Sequence, residues 1–302
     1  MPNWTDVLRE IQVCSIHPDP AAKVRSKYIK QLSQYRKRNV IVYYSGWIQR
    51  NNTAVPFQIN DEDMNSFMTM INGMDTSKGL DLLLHTPGGD PTATEAIVNY
   101  LFKKFKDNIS CFVPQLAMSA GTMIACSCKE IYMGKQSSIG PIDPQMGPLP
   151  AYAILEEFKK AVSDIKSEQA TIPLWGGIFR QIHPGLLTEC QQAVDLSTEL
   201  VKEWLKRGMF KNNRLAGKKA TRVTNYLNSH KKTKLHSRHI DSEQAKAIGL
   251  CINDLEADQQ LQDLVLTVHH ACMHSFSQIP SLCKIVENQN ACGICTHFAQ
   301  AQ

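Results

Sequence analysis

The chain has 302 residues, with Lys+Arg 33 against Asp+Glu 28, a formal net charge of +5 and 43% hydrophobic residues, which is enough for one large or two small domains around a substantial core. The cations are scattered except in "KNNRLAGKKATR" (Lys211 to Arg222) and "HKKTKLHSRH" (His230 to His239), and without interleaved aromatics these runs read as solvated faces, so no nucleic-acid partner is expected. The start, "MPNWTDVLREIQ", has no basic segment followed by an apolar core, and no window approaches a membrane span, so a cytoplasmic, soluble chain with no stable membrane insertion is expected.

In chain order, "AAKVRSKYIKQLSQYRKR" reads as a polar N-terminal helix. The β-branched and aromatic run "NVIVYYSGW" then predicts a strand over Val40 to Trp47. "DEDMNSFMTMIN" has helical periodicity with acids at its start, and "GLDLLLHTPGGD" contains a continuous apolar run, Leu82 to His85, as in a fully buried parallel strand. "PTATEAIVNYLFKKFKD" is an amphipathic helix, and "NISCFVP" a further strand over Ile109 to Val113. The alternation implies parallel β–α–β units in a layered α/β core. The expected division is a helical region over 1–35, an α/β domain over 36–255, and a C-terminal helix and hairpin extension over 256–302.

Ten cysteines in a large chain without an export signal are expected as reduced thiols. The tail holds Cys283, Cys292, Cys295 and His297, with His269, His270, Cys272 and His274 upstream. A structural zinc site normally needs a second ligand pair at matching spacing, and "CKIVENQNACGICTHF" reads instead as two short strands around an Asn-rich turn. No metal and no cofactor is expected.

Two segments carry chemistry together. "TPGG" (Thr86 to Gly89) follows a strand and precedes a helix, where adjacent glycines free the backbone to turn and expose N–H groups. One β–α unit later, "QLAMSAGTMIACSC" brings Ser119 to the start of an apolar helix. Alone, that stretch reads as a buried helix tolerating a serine. Paired with the glycine turn, it reads as a nucleophile whose substrate oxyanion would meet a glycine N–H, with Ala117, Ala120 and Gly121 leaving room for substrate and close packing.

With "TPGG", "AMSAGT", "CKEIYMGKQSSIGPIDPQ", "HSRHIDSEQAKAIGL" and "MHSFSQIPSLCKIVEN" in place, the chain resembles the Clp protease and crotonase superfamily over roughly Lys30 to Asn288, and within it the serine dehydrogenase proteinase family, related to signal peptide peptidase A. The resemblance implies a Clp/crotonase-like layered fold, serine-dependent cleavage of a peptide or protein substrate, and assembly into a homo-oligomer. By motif match it makes Ser119 the nucleophile and the N–H groups of Gly89 and Ala120 the oxyanion hole. The base stays open. Clp proteases carry a histidine shortly after the serine, where this chain has Asp143 within "GPIDP". Signal peptide peptidase A uses a lysine further along, for which Lys159, Lys160 and Lys166 are candidates. His236 fits the serine dehydrogenase proteinase pattern, with Asp143 as a possible holder of its ring, although that pattern has an aspartate where this chain has Ser237. His239 and His183 are weaker alternatives. The other class of reading is a catalytically silent Clp-fold scaffold or partner-binding subunit that keeps the cavity. Crotonase-type acyl-CoA chemistry shares the oxyanion geometry but needs no serine nucleophile, so "AMSAG" argues against it.

Overall fold

Three continuous apolar runs become the central strands of a computed structural model that describes residues 4–17, 19–50 and 56–298. Strands β1 (Asn39–Ser45), β2 (Leu80–His85) and β3 (Ile109–Val113) are buried along their whole length. They pair in parallel, with Ile41 opposite Leu82 and Leu82 opposite Cys111. Val40, Val42, Tyr44, Leu83 and Phe112 feed one apolar cluster, while Ile41, Tyr43, Leu82, Leu84, Cys111 and Val113 feed the other. Helices cover both faces, so no polar side is needed and the strands read as unbroken runs. The first strand was expected to reach Trp47 and stops at Ser45, because Gly46, at φ −96° and ψ 30°, leaves the extended region and Trp47 to Gln49 form a 3-10 turn.

Shorter strands follow: β4 (Leu116–Ala117), β5 (Glu130–Met133), β6 (Ser138–Ile139), β7 (Gln145–Met146), β8 (Leu149–Pro150) and β9 (Ile252–Asp254), then β10 (Leu282–Asn288) and β11 (Gly293–His297). The main sheet has seven strands in the order β11-β10-β1-β2-β3-β5-β9. It is parallel from β1 to β9 and antiparallel where β10 joins β1 and β11 joins β10. This is a mixed α/β fold dominated by parallel pairing.

On one face lie α1 (Trp4–Val13), α2 (Pro20–Arg36) and, from the far end of the chain, α12 (Gln259–Gln278). On the other lie α3 (Asp63–Ile71), α4 (Pro91–Phe105), α5 (Ala120–Ser127), α8 (Leu186–Arg207), α9 (Ala216–Leu227) and α11 (Ser242–Ile248). Two helices, α6 (Ala151–Ser167) and α7 (Ile172–Phe179), follow the β7–β8 hairpin, and a short α10 (His230–Thr233) precedes α11. The start of α4 is fixed locally: Asp90 accepts from the N–H groups of Thr92 and Ala93, and Pro91 occupies the first turn. Buried carboxylates are paired, Asp81 of β2 with Arg36 and Arg38, Glu287 of β10 with Arg25, and Asp63 of α3 with Lys284, which offsets the cost of taking each charge out of water. The expected segments 1–35 and 256–302 extend into residues 1–3, 18 and 299–302, which lie outside those described.

Candidate active site

The β2–α4 turn and the segment entering α5 are stitched together by main-chain bonds. Thr86 N–H donates to Leu116 O at 3.1 Å and Met118 N–H to Thr86 O at 3.0 Å, and Gly88 N–H donates to Thr86 Oγ1 at 3.2 Å. Gly88, at φ +102°, has no room for a side chain: a Cβ there would lie 2.7 Å from Ser119 Cβ and 3.0 Å from Ala120 N. A Cβ on Gly89 would collide with the backbone of Ile59, whose N–H donates to Gly88 O at 2.8 Å and whose carbonyl accepts from Asp90 N–H at 2.9 Å. Two glycines are therefore required by close approach on both sides of one turn.

Ser119 sits directly against this turn. Its φ of 50° and ψ of −116° belong to a region that non-glycine residues rarely occupy. It is half-buried, and its hydroxyl does not cap α5. The helix opens at Ala120, and a Cβ on Gly121 would lie 2.5 Å from Thr86 Cγ2, so α5 rests on the glycine turn. Among the described residues, the N–H groups of Gly89 and Ala120 donate to no protein acceptor. Two unspent backbone donors beside a strained serine form a local arrangement suited to receiving an anionic oxygen.

A third segment closes on the same place. Thr122, fully buried, donates its hydroxyl to Ala117 O at 2.8 Å and accepts from Gly140 N–H at 2.8 Å. A Cβ on Gly140 would lie 2.7 Å from Met118 Cε and 3.3 Å from Ser119 N. Next to Gly140, Ile139 exchanges two backbone bonds with Ile240, 3.0 and 2.8 Å long. This crossing brings the loop after α10 beside "GPIDP", and His236 Nδ1 lies 3.0 Å from Asp143 Oδ1. The Asp143 side chain is fully buried and that of His236 is 28% exposed. Asp143 Oδ2 also accepts from Gln145 Nε2 at 3.1 Å. An ionised carboxylate only accepts, so a hydrogen bond from His236 to an ionised Asp143 requires the proton on Nδ1 and leaves the lone pair on Nε2.

The remaining candidates are exposed. Lys159, Lys160 and Lys166 are exposed on α6; Lys159 pairs with Glu156 at 3.6 Å and Lys160 lies 6.0 Å from the Trp175 ring. A lysine base needs desolvation to become neutral, and the surroundings of these three supply none. His183, Ser237 and His239 are exposed. In the tail, Cys283 donates to Thr296 O and His297 bonds Ser281. Sequence reasoning passed over Thr86, Thr122 and Gly140, which knit the three segments. The only signal for them was their adjacency to the glycine and serine motifs, since their roles come from bonds across the fold.

The family model of ClpP-like SDH-type serine proteinases matches residues 12–291, nearly the whole chain. Two uncharacterized proteins of the archaeon Methanocaldococcus jannaschii are similar to it: one is 32% identical over 146 residues, 48% of this chain and 50% of the relative. The other is 31% identical over 150 residues, 49% of this chain and 52% of the relative. The chain thus spans about half the length of the curated relatives it matches.

Proposed function

The chain belongs to the ClpP-like SDH-type serine proteinases, and from that premise we propose that it cleaves peptides or unfolded polypeptide segments through an acyl-enzyme on Ser119. In this reading Nε2 of His236 takes the proton from Ser119 as Oγ attacks the scissile carbonyl carbon. The oxyanion that forms is held by the N–H groups of Gly89 and Ala120. The imidazolium then gives its proton to the leaving amine, and water, activated by the same nitrogen, releases the acyl group. Asp143 keeps the ring in the required tautomer. The observation that carries the reading is the 3.0 Å contact between His236 and buried Asp143, on a segment whose Gly140 packs against Ser119 N. None of Lys159, Lys160 and Lys166 has a comparable partner or burial.

One observation favours a second reading, a silent scaffold or partner-binding subunit: among the described residues the Ser119 hydroxyl has no hydrogen-bond partner. In the peptidase reading this contact to the base closes with substrate, as is common in ligand-free sites. Hydrolysis of a fluorogenic unfolded protein separates the two. Ser119→Ala is expected to fall to background and His236→Ala by about 10³-fold or more, with Lys160→Ala and Lys166→Ala close to wild type. Wild type at background transfers the proposal to the scaffold, wild-type turnover in Ser119→Ala removes Ser119 as the nucleophile, and selective loss in a lysine variant transfers the base.

A further inference from the structure

The acyl-transfer site depends on two turns holding their relative position, and their junction contains one side chain that the mechanism does not use. His85 is the last residue of β2 and is fully buried. Its Nδ1 accepts from Leu116 N–H at 3.3 Å. Leu116 opens β4, the strand that runs through Ala117 toward Ser119. The same Leu116 accepts from Thr86 N–H through its carbonyl, so both its backbone groups are committed to consecutive residues where β2 runs into the glycine turn. We propose, resting on the peptidase reading, that His85 is a positioning residue, whose imidazole locks the nucleophile turn to the oxyanion turn through the Leu116 amide.

Packing alone does not account for a histidine here. The ring lies among Trp47, Tyr44 and His269, with centroids 4.4, 5.3 and 5.4 Å away, a setting that an aromatic hydrocarbon would fill. The imidazole carries a cost there, because its Nε2 is buried without a hydrogen-bond partner among the described residues. What it gains over a hydrocarbon is the Nδ1 acceptor. Acceptance requires the neutral ring, since a proton on Nδ1 would oppose the Leu116 N–H. Burial, aided by neighbouring His269, holds the His85 pKa well below its ordinary value, so the acceptor is preserved at neutral pH. The charged or titratable neighbours on adjoining elements are Tyr44 on β1 and His269 on α12.

The role is read by three substitutions. In His85→Asn the amide oxygen can replace Nδ1. In His85→Gln the longer side chain carries its oxygen past Leu116, and His85→Phe keeps the ring without an acceptor. Small misplacements in such sites cost about 10²-fold in rate, so kcat is expected to fall about that much in the Gln and Phe variants with KM within about threefold, while Asn stays within about fivefold of wild type. Hydrogen exchange at the Leu116 amide should stay slow in wild type and Asn and accelerate in Gln and Phe. Gln or Phe at wild-type kcat, or Asn as impaired as Gln, overturns the proposal. If neither Gln nor Phe folds, Asn alone decides: near-wild-type kcat with a protected Leu116 amide supports it, and a loss beyond about 30-fold contradicts it. Failure of the peptidase reading looks different, because wild type itself would then be inactive while the exchange comparison still reports whether His85 holds Leu116.

Discussion

Asp143 divides its carboxylate between His236 Nδ1 and Gln145 Nε2, and that division makes its replacement informative. Asp143→Asn keeps shape but can offer an N–H to Nδ1, which favours the opposite imidazole tautomer and takes the free lone pair from Nε2. Peptide hydrolysis is expected to fall about 10³- to 10⁴-fold with binding little changed; activity within tenfold of wild type would remove Asp143 from the orienting role. Thr122 offers a test of the support beneath Ser119. Thr122→Val keeps the volume but strands Ala117 O and Gly140 N–H, so a loss of about 1–3 kcal/mol is expected in urea unfolding, with Thr122→Ser near wild type. Equal stability of Val and Ser would show that these two bonds contribute nothing net. At this scale the local sequence displayed the special residue types, while the pairing of His236 with Asp143 was suggested only by way of the family resemblance. "TPGG" and "AMSAG" are legible because glycine and small residues advertise close approach. Asp143 and His236 are far apart in the chain and are brought together by long-range main-chain bonds, Ile139 with Ile240 and Ile142 N–H to Leu227 O, which no local pattern encodes.

Among the elements, α12 is distinguished by the histidines it buries. His269 lies 5.4 Å from His85 and 5.7 Å from His270, and Trp4 of α1 packs on His270 and His274 at 5.7 and 3.9 Å. Burial is the first cause that depresses all four, His85 well below its ordinary value, His269 to about 3, and His270 and His274 less far. Their folded pKa values lie below that of the unfolded chain, about 6.5. Below that pH the unfolded chain binds more protons, so stability falls on acidification and is retained above it. Each of the two fully buried rings contributes a slope of about 1.4 kcal/mol per pH unit in the window from about 6.5 down to its folded pKa. The urea midpoint is expected to drop clearly between pH 7.5 and pH 5.0, before most carboxylates titrate; equal midpoints would mean that these rings accept protons in the folded state. The tail histidines drew attention in the sequence as possible ligands, and a pattern of His, His and Cys along a helix cannot distinguish a metal face from a buried face. The strands were easier to read because both sheet faces demand apolar residues. Their ends were harder: β1 stops early at Gly46, whose bend is held by Gly46 N–H bonding Cys283 O from the opposite end of the chain.

For the whole molecule, the distribution of exposed apolar side chains bears on assembly. Helix α4 spends Ile97, Val98, Leu101, Phe102 and Phe105 on its own core. Phe158 and Val162 on α6 and Leu174 and Ile178 on α7 remain exposed. The homo-oligomer that the family resemblance implies is therefore proposed to form through α6 and α7 and not α4, and it is expected in sedimentation at micromolar concentration, weakened by the Phe158→Asp, Leu174→Asp double variant. A strict monomer in wild type would contradict it. No helix among the described residues is long and apolar enough to cross a membrane. The layered fold was legible from strand and helix alternation, whereas which helix faces stay uncovered depends on packing that only the folded chain displays. The chemistry proposed for the site rests on acylation of Ser119. Its most direct test is to treat the folded protein with a fluorophosphonate and locate the adduct by peptide mass spectrometry. The account predicts a single stoichiometric adduct on Ser119, lost in Ser119→Ala and strongly slowed in His236→Ala; an unmodified Ser119, or an adduct on another residue that persists in Ser119→Ala, would contradict it.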